Sequence, residues 1–348
     1  MKNKSKDDCF MVTVKDIAEK VGVSATTVSI VINGKAEERG ITQATQDKIR
    51  AAMKELGYQP NLSARRLRSR EDAPTVIGFF WPADFRLSIL ASFLNSFSSR
   101  IRETAFNCQL VVQTYENNRL RDFDDVIMKG TYNAVVIGGS STEDQQHLES
   151  LTPPVPVVLI NRDSGRYTTV GVDNESMGRL AAEQFAGKGY REVAVFASRH
   201  GFPASNRRVV AFLDQCAARN ISVPEEHIYR DDSSADGGYR MGAVFAAKAV
   251  HPRAVFCDSD SIAFGALRAL QERNIRVPAD LELLTIDITA SELAPHASPP
   301  LSTVKMPSEA LAARIIDLIQ AQLKANTFQT EHVLLEPELV LRQSFARI

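Results

Sequence analysis

The sequence predicts an N-terminal all-α headpiece of helix-turn-helix form, followed by an α/β body of two doubly wound parallel-sheet lobes. Two observations carry this. Short capped helical segments with tight turns fill the region from Thr13 to Leu56, and short apolar runs alternate with amphipathic segments from Val76 onward. The second rhythm is that of βαβ units. At 348 residues the chain is also too long for one core, so two or three domains are expected.

The headpiece elements follow in order. Thr13 offers an N-cap with Asp16 three residues later, and Ile17, Ala18 and Val21 then lie at helical spacing. Gly22 stops that helix, Ser24 caps a second over Ala25 to Ile32, and Asn33-Gly34 ends it. Ile17, Val21, Val23, Val28 and Ile32 are the expected shared core. The second helix presents Ala25, Thr26 and Ser29 outward, on the side that fits a major groove. A third helix is capped at Thr42, places Ile49, Met53 and Leu56 on one face, and has Gly57 past its end.

Beyond a charged, Pro-containing joint at 71–74, strand-like runs appear at Val76–Phe80, Leu110–Gln113, Ala134–Ile137 and Val155–Ile160, then at Val193–Ala197, Ala254–Cys257 and Leu283–Ile286. A break near Tyr167–Asn174 divides them into two halves. In open α/β sheets ligands sit outside the carboxyl ends of the strands, so a cleft between two such lobes is the natural ligand site.

Charge is distributed unevenly. Residues 1–70 hold 14 Lys and Arg against 8 Asp and Glu, net +6, while the remainder holds 27 against 34, net −7. A basic headpiece on an acidic body suits phosphate binding at one end. Cys9, Cys108, Cys216 and Cys257 are widely spaced, which fits reduced thiols in a cytosol and argues against zinc. The six histidines form no metal spacing, and no cofactor is expected. No apolar run approaches a membrane span, and the first residues lack the apolar segment of a signal peptide, so a cytoplasmic location without membrane association is expected. Gly138-Gly139-Ser140-Ser141 lacks both a Walker lysine and dinucleotide spacing and reads as an ordinary βα turn. No nucleophile or paired-acid arrangement stands out, so catalysis is not expected.

Two strings, Val14-Lys-Asp-Ile-Ala-Glu-Lys-Val-Gly-Val-Ser-Ala-Thr-Thr-Val-Ser29 and Leu56-Gly-Tyr-Gln-Pro-Asn-Leu-Ser-Ala-Arg-Arg-Leu67, resemble the lactose-repressor/galactose-repressor (LacI–GalR) family of transcription regulators. The resemblance runs on to Leu339-Val-Leu-Arg-Gln-Ser344. It implies a DNA-binding headpiece over 1–60, a hinge helix and linker over 61–74, and an effector-binding and dimerisation body over 75–348 of periplasmic-binding-protein type. The chain would cross between lobes more than once, with the first lobe at about 75–172 and 306–332 and the second at about 173–305 and 333–348. Leu311–Lys324 would return to the first lobe, and the final strands would lie in the second.

What this resemblance implies is a homodimeric regulator, a repressor rather than an activator, that binds a palindromic double-stranded operator under control of a small sugar or sugar derivative. A purine or other non-sugar effector, or an activator, is the alternative. The DNA-binding residues implied are Thr13, Lys15, Ser24, Ala25, Thr26, Thr27, Ser29 and Asn33, with Asn61, Ala64 and Leu67 in the hinge. There Leu67 would wedge into the minor groove. No leucine heptad tail follows Arg342, so a dimer is expected rather than a tetramer.

Candidate effector contacts follow strand-like runs. Asn161 follows Val155–Ile160, and Arg208 opens a helix where the family places an effector-contacting arginine. Asp287 ends Leu283–Ile286, where Thr-Ile-Asp-Ile replaces the family's Gly-aromatic-Asp-Asp. Ser259 stands in Asp258-Ser259-Asp260, where the family has Asn-Asp, and Asp260 is expected to cap the following helix from Ser261. Trp81 closes the first strand and is expected to face the cleft and stack on a sugar ring. Alternation should bury one of Phe79 and Phe80, and core packing is the expected role of the phenylalanines.

Overall fold

The computed structural model describes residues 13–32, 36–56, 74–84, 86–200, 203–288 and 292–345. Asn33, Asn61, Ala64 and Leu67 therefore lie outside the described residues. The chain divides into two compact units, Met1–Ser69 and Arg70–Ile348.

In the first unit, three helices surround a small core: α1 (Val14–Val21), α2 (Ala25–Ile32) and α3 (Gln43–Glu55). α1 begins with a reciprocal capping box: the Thr13 hydroxyl accepts from the Asp16 amide, and the Asp16 carboxylate accepts from the Thr13 amide at 2.6 Å. Its end is set by Gly22, whose φ of 72° is left-handed. The Ser24 hydroxyl accepts from the Thr27 amide at 3.0 Å and starts α2. Ile17, Ala18, Val28, Val31, Ala36, Ile49 and Ala52 form the buried core, with Val21, Val23 and Ile32 only partly covered. Val31 thus takes the inner place that the spacing gives to Ile32.

The second unit holds two six-stranded sheets. The first contains β1 (Thr75–Pro82), β2 (Cys108–Tyr115), β3 (Ala134–Gly138), β4 (Val157–Ile160) and β5 (Thr168–Val172); the second contains β6 (Ala194–Ser198), β7 (Ile228–Asp231), β8 (Ala254–Cys257), β9 (Glu282–Asp287) and β10 (Ser302–Lys305). β11 (His332–Leu335) adds to the first and β12 (Glu338–Val340) to the second. Their orders are β11-β5-β4-β3-β1-β2 and β12-β10-β9-β8-β6-β7. Every pairing is parallel except β10 with β12.

The helices of this unit are α4 (Leu87–Thr104), α5 (Asp124–Met128), α6 (Thr142–Glu149), α7 (Asn174–Gly187), α8 (Pro203–Ala218), α9 (Ala235–Ala246), α10 (Asp260–Glu272) and α11 (Ser308–Ala325). α4 packs on α11, α7 on α8, and α9 on α10. Both faces of the first sheet are covered, so Phe79 and Phe80 both pack in the core, and alternation leaves neither of them out. The physical reason is that β1 is a central parallel strand with helices on each side.

The chain passes between the sheets three times: at Asp173, at Met306–Pro307 and at 336–337. α11 packs against α4 and β5 in the first lobe. The third passage comes after β11, so 333–335 belong to the first sheet and not to the second. The stretch Tyr167–Asn174, taken from sequence as a break, contains β5. Among the described residues, no helix is long and apolar enough to cross a membrane.

Candidate functional site

In each sheet the strand order reverses direction at one point, between β1 and β3 in the first and between β6 and β8 in the second. Such switch points open a crevice beyond the carboxyl ends of the strands. A cavity of about 100 Å³ lies where these ends meet: Trp81 from β1, Gly139 after β3, Asn161 and Arg162 after β4, and Ser198 from β6 all line it. Arg208 and Ser205 of α8 and Met306 of the second crossing complete its rim. Ligand pockets commonly run to roughly 300–1,000 Å³, so this space admits a small molecule only if the lobes part.

The first-lobe wall is built on Trp81, which is only 2% exposed. Its ring stacks on Phe79 with centroids 6.0 Å apart, and its Nε1 donates to the Arg86 carbonyl at 2.9 Å. Gly138 is required here: a Cβ on it would lie 2.1 Å from the Trp81 ring. Trp81 therefore lines the cavity as expected, but as a wall fixed on both sides rather than as an open stacking platform. Arg86 is buried, donates to Asp84 from Nε at 2.8 Å and reaches the Gly139 carbonyl from Nη1. Arg162 donates to the Ser140 carbonyl from Nε and Nη2, at 2.8 and 2.6 Å, and to the Asn161 carbonyl from Nη1 at 2.8 Å. Burial, with the nearby Arg86 charge, lowers its pKa to about 10.

Asn161 sits at φ 52° beyond β4; its Oδ1 accepts from the Val172 amide at 2.8 Å and its Nδ2 points to the Met306 sulfur at 3.3 Å. It thus ties the first lobe to two crossings. In the second lobe Arg208 is 5% exposed and donates from Nη1 to Asn174 Oδ1 at 2.8 Å, while its Nε has no partner among the described residues. Asp258 lies behind Ser205, accepting from the Ser205 hydroxyl at 2.7 Å and from the Ser198 amide at 3.0 Å. Burial raises the Asp258 pKa.

The structure brings Trp81, Asn161 and Arg208 together but leaves Ser259 and Asp287 out. Ser259 is the N-cap of α10, its hydroxyl accepting from the Ile262 amide at 3.4 Å. The helix therefore starts at Asp260, one residue before the sequence expectation, and Ser259 rather than Asp260 caps it. Asp287 is buried at the end of β9, and its carbonyl accepts from the Met306 amide at 3.1 Å; the next residue, Ile288, reaches the cavity instead. Both corrections share one cause: being at a strand end does not decide which way a side chain points. Arg86, Arg162, Ser205 and Met306 escaped the sequence reading. Arg162 alone had a visible signal there, because it directly follows a strand-like run.

In the headpiece, Thr13, Lys15, Ser24, Ala25 and Thr26 are exposed, and Thr27 and Ser29 are partly covered. The start of α2 thus offers small side chains at a helix N-terminus, an arrangement suited to a groove and its phosphates. The Glu37–Gly40 turn is held by the Ile41 amide donating to the Ala36 carbonyl at 2.9 Å. Among the described residues no group of His, Cys, Asp and Glu is placed to hold a metal.

A helix-turn-helix headpiece and a two-lobed α/β body with a largely apolar cavity carrying a few polar groups at the switch points, in one chain, define the class of transcription regulators that bind small molecules. Comparison with known proteins agrees. Residues 13–61 match the family of bacterial regulatory proteins of lacI type, and residues 182–345 match the periplasmic binding protein-like domain. The HTH-type transcriptional repressor PurR of Vibrio parahaemolyticus is 26% identical over 97% of this chain and 100% of its own length. The crystal structure of a LacI family transcription regulator from Clostridium acetobutylicum is 28% identical, with a TM-score of 0.74 over 77% of this chain and 99% of that one. The structure of the regulator CelR with cellobiose is 24% identical, with a TM-score of 0.68 over 96% and 99%. The chain thus joins a lacI-type DNA-binding domain to a periplasmic binding protein-like domain, and over nearly its whole length it is similar to repressors that regulate transcription rather than to enzymes.

Proposed function

We propose that this protein is a cytoplasmic homodimeric repressor whose grip on a palindromic operator is controlled by a small sugar or sugar derivative held in the cavity between the lobes. The observation that carries the effector site is the convergence of Trp81, Asn161 and Arg208, from both lobes, on one space at the carboxyl ends of the strands. The apolar wall of Trp81, Ile89 and Phe93 suits the carbon face of a sugar ring, and the neighbouring Ser198, Ser205 and Ser233 suit its hydroxyls.

On the DNA side, Thr13, Lys15, Ser24 and Thr27 hold phosphates, and Ala25, Thr26 and Ser29 face base edges, with Asn33 as a further proposed DNA contact. Asn61, Ala64 and Leu67 form the hinge that enters the minor groove. One headpiece reads only a few base pairs, so two copies on a palindrome supply the specificity.

The test is a thermal-shift screen of sugars, sugar derivatives and purine bases against the full chain, followed by operator binding with each stabilising compound. Any compound that binds only the native state raises its stability by RT ln(1 + [L]/Kd). The expected result is a sugar-class compound that raises Tm and changes operator affinity. Stabilisation by purine bases alone would reject the sugar assignment.

A further inference from the structure

The cavity that the proposed function assigns to the effector has an uneven charge. Three arginines line it, Arg86, Arg162 and Arg208, and no aspartate or glutamate does among the described residues. The adjoining depression of about 520 Å³, which shares Asn161 and Arg162, is lined by Glu149, Asp163, Asp173 and Glu175 as well as Arg207. Arg86 is neutralised by Asp84. Neither Arg162 nor Arg208 makes an ion pair among the described residues: Arg162 rests on two backbone carbonyls and Arg208 on the side-chain amide of Asn174.

A guanidinium carries five N–H donors and keeps its charge at neutral pH. Arg162 uses one hydrogen on each nitrogen for those carbonyls, which leaves one on Nη1 and one on Nη2 without a partner among the described residues. Arg208 has its Nε unpartnered at 5% exposure. Arg162 is half-buried and Arg208 buried, and although Asp163 lies near the first and Asp258 and Asp260 near the second, none pairs directly with them. A desolvated cation without a paired carboxylate is costly, and a bound anion lowers that cost while gaining charge-assisted hydrogen bonds. The lowered pKa of Arg162 expresses the same cost.

We infer that the effector is a small polyhydroxylated anion, a sugar acid or a sugar phosphate, whose charged group is received by Arg162 of the first lobe and faced by Arg208 of the second. This rests on the cavity being the effector site. A ligand that bridges two cations on opposite lobes also gives a physical reason for closure, since each arginine is satisfied only when the lobes meet.

The experiment uses the full chain and matched triplets built on glucose, galactose, mannose and ribose: the neutral sugar, its acid and its phosphate. Affinities come from calorimetric titration at two salt concentrations. The expected result is one charged member binding at least about tenfold more tightly than its neutral counterpart, the scale of a charge-assisted hydrogen bond. Comparing acid with phosphate then tells the two sources apart. Arg162→Gln should remove most of that charged-to-neutral ratio, and Arg162→Lys should restore part of it, with circular dichroism confirming that each variant is folded. A neutral sugar binding as tightly as its charged forms, an unchanged ratio in Arg162→Gln, or the absence of binding by any charged member would overturn the inference. The first two results would leave the cavity reading standing if Arg208→Ala still abolished the binding. If a charged member bound but neither altered operator affinity nor responded to Arg208→Ala, the underlying reading of the cavity as the effector site would fail instead.

Discussion

Trp81 shows how one residue organises a binding wall. It is clamped between Phe79, Phe93 and the Arg86 carbonyl, and the chain opposite it has no Cβ at Gly138. A methyl group there must displace the indole, and overpacking of this kind costs about 1–3 kcal/mol. Gly138→Ala should lower Tm by a few degrees and weaken effector binding together; unchanged values in calorimetry and titration would show that the wall is not rigid. On the DNA side, Thr26 and Lys15 are both exposed at helix starts but differ in kind. In a selection from randomised operators, Thr26 substitutions should change base preference at one or two positions per half-site, while Lys15→Ala should weaken all sites alike. Unchanged preference in a Thr26 variant would remove that residue from the reading face.

At the scale of elements, paired helices carry the second lobe. α9 and α10 meet through glycines: a Cβ on Gly265 would lie 1.8 Å from the Ala235 carbonyl, and one on Gly238 would lie 2.1 Å from the Ile262 carbonyl. Gly165 has open space and no left-handed φ. Gly265→Ala should therefore destabilise by about 2 kcal/mol or more, and Gly165→Ala by less than about 0.5 kcal/mol. Equal denaturation midpoints for the two variants would contradict close packing of these helices. Seven strands were legible in the sequence because they contain apolar runs, six of them largely buried and β2 at the edge of its sheet. β5 and β10 were not, because Thr168 and Ser302 interrupt them; in the fold their hydroxyls donate to the carbonyls of Gln329 and Arg342. β7, β11 and β12 are edge strands with exposed residues, so they lack the continuous apolar signal. In the site, Arg208 and Asn161 were legible from the ends of the elements that carry them. Arg86 was not, because it sits in the loop after β1 where no periodicity marks it.

At the scale of the whole molecule, the two compact units divide the labour. Among the described residues the headpiece core consists of seven buried side chains, small enough that reading DNA from one copy would be weak in both stability and specificity. The chain should therefore sediment as a dimer at micromolar concentration, and a stable monomer would count against palindromic recognition. Control of such a dimer requires that an effector in the cavity change the free energy of binding DNA elsewhere, a coupling that works equally in both directions.

The most direct test of that coupling measures operator and effector affinity in parallel for the wild type, Leu67→Ala and Arg208→Ala, using whichever sugar-class compound stabilises the wild type most. The account predicts that Leu67→Ala loses operator affinity strongly while still binding the compound nearly as well in the free protein. Arg208→Ala should keep operator affinity but lose both the compound and the response to it. If both folded variants lost operator and effector binding to the same degree, the separation of reading headpiece from sensing cavity would be contradicted.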